Sequence, residues 1–336
     1  MGGARGVHGV LVVDKPTGIT SYDVVRELKP SLKGIKIGYL GTLDPLATGV
    51  LPVLLGEGTK LAPFLETGRK VYEATLLLGV TTDTQDKEGK ILATVDIGDC
   101  DLSPHRVEDV MQGFRGTISQ LPPMHSALKH NGEPLYKLAR RGDEVSREPR
   151  EVEIYELRVT EIDPPSMSLH IECSKGTYIR TLVHDIGAQI GCGAHLTALR
   201  RTRNGPFGLE DALSLAAVKG LLKGRNIKER SIPLSQAIGF LPSVSVSEDD
   251  ALQIRNGKAI TVKHPPRGGD QEGRKVRVLA KKGGRLVAVG EIHQEKGGFV
   301  VRPLRVFHDA LFTKAPSCGR KKVHTIINTM AHQGGR

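Results

Sequence analysis

Gly38-Tyr39-Leu40-Gly41-Thr42-Leu43-Asp44-Pro45-Leu46-Ala47-Thr48-Gly49-Val50-Leu51-Pro52 places one carboxylate, Asp44, in a loop punctuated by glycine and proline and bounded by apolar residues. Glycines at 38, 41 and 49 admit backbone shapes closed to other residues and let a ligand approach the main chain. Pro45 biases Asp44 away from the helical region, so its carboxylate is expected on an extended backbone. An Asp before Pro ordinarily serves as a turn residue or a cap, and local chemistry alone does not separate that use from a catalytic one.

Outward from this loop the pattern is mixed. Gly9 to Asp14 reads as a short buried strand. Thr20 or Ser21 caps a helix that runs to Leu28 and ends at Pro30. Lys70 to Val80, Lys90 to Val95, Val152 to Ile162 and Met167 to Cys173 read as strands, and residues 81–89 between the first two as a polar loop. Ser103-Pro104 opens a helix to about Phe114. Thr181 to Ile190 is helical with glycine stops at 191 and 193, and Glu210 to Leu222 forms a further helix. Strands and helices follow without regular alternation, which predicts α+β with a mixed, largely antiparallel sheet. A boundary falls near Phe240-Leu241-Pro242-Ser243. Beyond it come a helix from Ser247 to Asn256 and short strands at Val276 to Ala280, Arg285 to Ile292 and Gly298 to Arg302, with a flexible loop around Pro265, Pro266, Gly268 and Gly269. From Asp309 the chain is basic and poor in apolar residues, and reads as disordered.

The 336 residues carry a formal net charge of +11, which points to an acidic partner, with nucleic acid the commonest soluble one. Apolar runs are too short to span a membrane, and the first residues lack the apolar core of a signal peptide. Cysteines at 100, 173, 192 and 318 make no C-x-x-C pair and no zinc-ligand spacing, so they read as scattered thiols in a reducing cytoplasm, with no metal site.

Five stretches, taken in order, carry a resemblance. They are Lys15-Pro16-Thr17-Gly18-Ile19-Thr20-Ser21; the Asp44 loop; Lys70-Val71-Tyr72-Glu73-Ala74; Cys173-Ser174-Lys175-Gly176-Thr177-Tyr178-Ile179-Arg180-Thr181-Leu182; and Leu196-Thr197-Ala198-Leu199-Arg200-Arg201-Thr202-Arg203-Asn204-Gly205-Pro206-Phe207. Together with Pro122-Pro123-Met124-His125-Ser126-Ala127-Leu128-Lys129, they resemble the TruB-type pseudouridine synthases over residues 9 to about 238. In form the Asp44 loop resembles the stand-alone bacterial branch.

That resemblance implies an enzyme that isomerises a uridine of the tRNA T-loop to pseudouridine, with no redox change and no cofactor. Asp44 matches the catalytic aspartate, Tyr72 the residue that stacks on the uracil, and Leu199 the one that closes the pocket. Arg180 matches the arginine that pairs with the aspartate, and Tyr178 is a neighbouring wall. A cation beside a required carboxylate holds it charged and oriented, and the planar arginine fork suits two-point pairing. Arg200, Arg201 and Arg203 are expected at phosphates, as is Lys15, whose motif in the family mainly supports the active-site loop, with Tyr39, His125 and Lys129 also on RNA. The resemblance further implies a catalytic unit over 1–240 with an RNA-contacting insertion at about 119–148, and a PUA-like module over 243–308. The enzyme is expected to be a cytoplasmic monomer with tRNA as its partner and no obligatory protein. Two positions depart from the family. Tyr39 stands where His is usual, and His125 where an aromatic is common. The competing readings are an RNA-folding protein that kept the scaffold without catalysis, and a guide-RNA-dependent enzyme acting on ribosomal RNA.

Overall fold

The computed structural model describes residues 7–224, 226–262, 273–295 and 298–308. The loop at 265–269, Cys318 and the tail from Asp309 lie outside them.

Eight strands form the path of the main sheet: β1 (Gly9–Lys15), β2 (Thr48–Leu55), β3 (Lys70–Leu78), β4 (Gly116–Gln120), β5 (Arg150–Asp163), β6 (Ser166–Cys173), β7 (Ala194–Asn204) and β8 (Leu213–Ser214). Their order is β8-β1-β2-β7-β3-β6-β5-β4. β1/β8 and β2/β7 are parallel and every other pair on the path is antiparallel. This is the mixed, largely antiparallel α+β sheet expected. Short strands Ile37–Tyr39 and Phe207–Gly208 extend it beside β2 and β7.

Helices α1 (Ser21–Leu28), α2 (Pro104–Gly113), α3 (Leu135–Arg141), α4 (Ile179–Ile190) and α5 (Leu215–Lys223) follow in chain order. Thr20 caps α1 in a reciprocal capping box with Asp23. Val24 and Leu28 of α1, Val110 of α2, Leu182 and Ile186 of α4 and Val218 of α5 cover one face of the sheet in a single apolar cluster. β3 and β6 alternate buried and half-buried residues, which leaves their other face open. β1 and β2 are buried on both faces and read as continuous apolar runs. Their second face meets Leu286, Val289 and Phe307 from beyond the boundary.

Those residues belong to a five-stranded sheet of β9 (Ser243–Val246), β10 (Ile260–Val262), β11 (Arg274–Ala280), β12 (Leu286–Glu295) and β13 (Gly298–Val306), ordered β9-β11-β12-β13-β10. Helix α6 (Glu248–Arg255) packs Ala251 and Ile254 into its core.

Two expected elements differ. The helix placed at Glu210 to Leu222 starts at Leu215, because the Ser214 hydroxyl accepts from Ala217 N and caps it there, while Leu209–Asp211 makes a separate short turn. The strand placed at Lys70 to Val80 breaks at Gly79, whose φ of +82° turns the chain into the Val80–Thr82/Ile91–Thr94 hairpin.

Candidate active site

The Asp44 loop joins Ile37–Tyr39 to β2, and its backbone is held from two sides, by residues 17–21 at the start of α1 and by β7. The Ser21 hydroxyl, at the first turn of α1, accepts from Leu43 N at 2.8 Å and donates to Leu43 O at 3.2 Å. Thr17 Oγ1 donates to Leu46 O at 3.2 Å, and Gly18 N donates to Pro45 O at 2.8 Å. From β7, Arg201 Nη2 donates to Gly41 O at 2.8 Å, Arg201 Nε to Val50 O at 2.8 Å, and Asn204 Nδ2 to Leu40 O at 3.0 Å. Gly49 has φ +100°, and a Cβ there would stand 2.2 Å from Arg201 O, so β2 and β7 meet too closely for any side chain at this position. Held at these points, the loop presents Asp44 in a fixed direction, 39% exposed.

Arg180, in the first turn of α4, meets that carboxylate. Its Nε lies 2.9 Å from Asp44 Oδ2, and its side chain is only 5% exposed. The expected two-point fork on Asp44 is not the arrangement. The contact runs through Nε, off hydrogen-bond alignment, because the two terminal nitrogens are taken elsewhere. Nη1 donates to Thr84 O at 2.9 Å and Nη2 to His125 O at 2.9 Å. Nη1 also lies 3.5 Å from Asp86 Oδ2. Arg180 thus ties α4 to three other segments, the Asp44 loop, residues 84–86 and residue 125, and its charge faces two carboxylates.

Asp86 was not singled out by sequence reasoning, which saw a polar loop at 81–89. Its side chain is 6% exposed, and a carboxylate so buried needs partners. It has them: Thr84 Oγ1 donates to Oδ1 at 2.6 Å and Glu88 N donates to Oδ1 at 3.0 Å. Nothing in the sequence separates Asp86 from Asp83, which stays exposed and bonds Lys90 N. Gln120 was also unmarked. Its amide brackets the Tyr178 backbone, accepting from Tyr178 N at 2.8 Å and donating to Tyr178 O at 3.1 Å, and so ties the end of β4 to the start of α4.

Tyr72 and Leu199 come together on one face. The β3/β7 register pairs Leu199 with Ala74 and Arg201 with Tyr72, so Tyr72 and Leu199 stand side by side and form one wall. They are 6% and 8% exposed. Burial pushes the Tyr72 phenol above its ordinary range, against the pull of the Arg201 cation. Burial likewise raises Tyr178. A cleft of about 490 Å³ opens beside this wall, reaching Leu46, Thr48, Leu199 and Arg200, while Asp44, Tyr72 and Arg180 lie outside its lining.

The cations expected at phosphates divide. Lys15 and Arg201 are fully buried and offer no surface to RNA. Lys15 Nζ instead donates to Pro16 O at 2.9 Å, Ile19 O at 2.5 Å and Pro45 O at 3.4 Å, which makes it a brace beneath the loop. Its burial lowers its pKa to about 8, with the Asp44 and Glu88 carboxylates opposing. Strand alternation turns Arg201 inward and its neighbours outward. Arg200 pairs with Asp14 at 2.8 Å and Arg203 with Glu210 at 3.0 Å, both part-exposed. Lys129 is exposed, and His125 is half-buried with its carbonyl on Arg180. Tyr39 is half-buried against the main core, which favours a packing role for it. Among the described residues no cluster of His, Cys, Asp and Glu is placed to hold a metal ion, and no helix is long and apolar enough to cross a membrane.

Residues 29–179 match the model of the TruB family pseudouridylate synthase N-terminal domain, 180–238 that of the tRNA pseudouridylate synthase B C-terminal domain, and 242–307 that of the pseudouridine synthase II TruB C-terminal region. A tRNA pseudouridine synthase B of Geobacter sulfurreducens is 47% identical over 289 residues, covering 85% of this chain and 93% of its own. One of Syntrophotalea carbinolica is 43% identical over 307 residues, covering 90% and 99%. Among solved structures, a Cbf5-Nop10-Gar1 complex aligns with a TM-score of 0.68 at 29% identity, covering 90% of this chain and 85% of the matched one.

Proposed function

The chain belongs to the TruB family of pseudouridine synthases, and on that premise we propose how its own residues carry the reaction. It is a stand-alone tRNA pseudouridine synthase, an isomerase. Its substrate is the T-loop uridine in the tRNA T-arm, and it acts as a cytoplasmic monomer without a guide RNA. The reaction breaks the N1–C1′ bond, turns the uracil and rejoins it through C5; a proton leaves C5 and N1 gains one, so the product is an isomer. Those atoms are covered in a stacked loop, so the nucleotide is flipped out at a cost of a few kcal/mol.

Asp44 is the catalytic carboxylate that assists cleavage of the glycosidic bond. The observation that carries this assignment is the Asp44–Arg180 contact, in which a part-exposed carboxylate meets a buried guanidinium at 2.9 Å. Arg180 positions the carboxylate and supplies its countercharge. Tyr72 and Leu199 provide the wall against which the flipped uracil lies, and aromatic stacking there is worth ~1–3 kcal/mol. Lys129, Arg200 and Arg203 lie on the exposed side, where phosphates are met. The test is incubation of the purified protein with unmodified tRNA and no other macromolecule. Pseudouridine at the T-loop position is expected. Product only after a guide RNA or accessory protein is added overturns the stand-alone reading, and tRNA binding without product under any condition favours the RNA-folding one.

A further inference from the structure

The arm that delivers Thr84 and Asp86 to Arg180 has a second attachment, away from the chemistry. It leaves β3 at Gly79, where N donates to Gly193 O at 3.0 Å, and Val95 N donates back to Gly79 O at 2.8 Å. A Cβ on Gly79 would stand 2.8 Å from Ile97 Cγ2, so Ile97 lies directly on this crossing. Cys100 follows one short turn later, its N donating to Ile97 O at 3.0 Å. Cys192 immediately precedes Gly193, in a turn pinned by Gly191 N and Gly193 N on Gly187 O at 3.1 and 2.9 Å. The thiols, which the sequence presents as scattered, come from 92 positions apart (192 − 100) to pack in one apolar cluster at this crossing, close enough to act on one another. Cys192 is buried and Cys100 half-buried, and both are unbonded.

We propose that Cys100 and Cys192 are a redox modification site, closing to a reversible disulfide with a peroxide as oxidant. The Cys100 thiolate attacks one peroxide oxygen; an S–O bond forms, the O–O bond breaks and one water leaves. The Cys192 sulfur then attacks the Cys100 sulfur; the S–S bond forms, the S–O bond breaks and a second water leaves. Two thiols are oxidised, one hydrogen peroxide is reduced, and both thiol protons end in water. Burial pushes the Cys192 thiol up, which leaves the more open Cys100 to react first. Burial holds Cys173 at about 11, so it competes poorly.

The test treats the full chain with hydrogen peroxide, blocks free thiols with an alkylating agent and maps the peptides. A Cys100–Cys192 linked peptide is expected, with two of the four thiols lost and both restored by dithiothreitol. The oxidised protein should melt at a higher temperature than the reduced one, because the link constrains a long loop of the unfolded chain. Cys100→Ser should abolish both the link and the peroxide-dependent melting shift, and leave pseudouridine formation unchanged. Cys192→Ala is the second variant, with the same expectation for the link. Cys192 that remains alkylatable after peroxide, a link to Cys173 or Cys318, or sulfinic acid on Cys100 without a link overturns the proposal.

Discussion

At Asp44 charge matters and shape can be kept. Asp44→Asn should reduce pseudouridine formation by more than about a hundredfold while tRNA binding stays within a few-fold, read by single-turnover assay and by filter binding. A variant with about a tenth of the wild-type rate would place the essential carboxylate elsewhere. For Arg180 the geometry changes the argument made from sequence. Lysine can bring a point charge to Asp44, but it cannot also serve Thr84 O and His125 O through two other nitrogens. Arg180→Lys should therefore lower the single-turnover rate at least about tenfold and also lower the melting temperature. Lys15 yields a pH prediction. Its folded pKa, about 8, lies below the ordinary 10.5, so between those values the unfolded chain binds more protons. The stability of the wild type relative to Lys15→Met should rise from pH 8 to about 10.5, by at most ~3 kcal/mol, measured by denaturant titration at each pH. A flat difference would mean that Lys15 keeps its proton. Which cations reach the surface was the least legible matter at this scale. Lys15 and Arg201 carry the same charge as Lys129 and Arg200, and only the completed sheet shows that the first two are sealed beneath the loop.

Among elements, those with local punctuation were legible. α1 and α2 announce themselves by Thr20 and by Ser103-Pro104, and β3, β5 and β6 by alternation. β7 is not legible as a strand, because in its Leu-Arg-Arg-Thr-Arg run the arginines suggest phosphate contacts and show no apolar alternation. Its identity depends on pairing with β2 and β3, which are distant in sequence. Residues 81–89 read in the sequence as a polar loop between two strands. Its tip folds inward so that Lys87 N donates to Leu196 O and Asp86 reaches Arg180, which a local pattern does not encode. Asp86→Ala would strand Thr84 Oγ1 and Glu88 N and remove one of two countercharges from Arg180. A loss of ~1–3 kcal/mol in unfolding free energy, with a lower single-turnover rate, is expected. An unchanged rate would confine Asp86 to folding.

Over the whole molecule, net charge pointed to a nucleic-acid partner and the order of strands and helices to the α+β class, but neither showed that the two sheets would share apolar packing. Phe307 is fully buried in the cluster that also holds Val10, Val12 and Leu54 of the main sheet. Lys60 Nζ donates to Val306 O at 3.1 Å and His308 N to Glu57 at 3.0 Å, which fasten the end of β13 beside it. Deleting the residues beyond 243 would bare that cluster, so a truncated chain confounds affinity with stability. Phe307→Ala is the cleaner probe. It should cost ~3–5 kcal/mol in unfolding free energy and leave the single-turnover rate at saturating tRNA nearly unchanged. A rate that collapses with it would tie the catalytic geometry to this seam. Arg180, finally, bears on heredity. Two of its four anchors, Thr84 O and His125 O, are main-chain atoms, which every amino acid possesses. A lineage can exchange the side chain at position 125 without disturbing that grip. The arginine's hold on residue 125 is thus blind to the spelling of that position, and it leaves evolution free to rewrite that side chain while the anchorage of Arg180 is inherited intact.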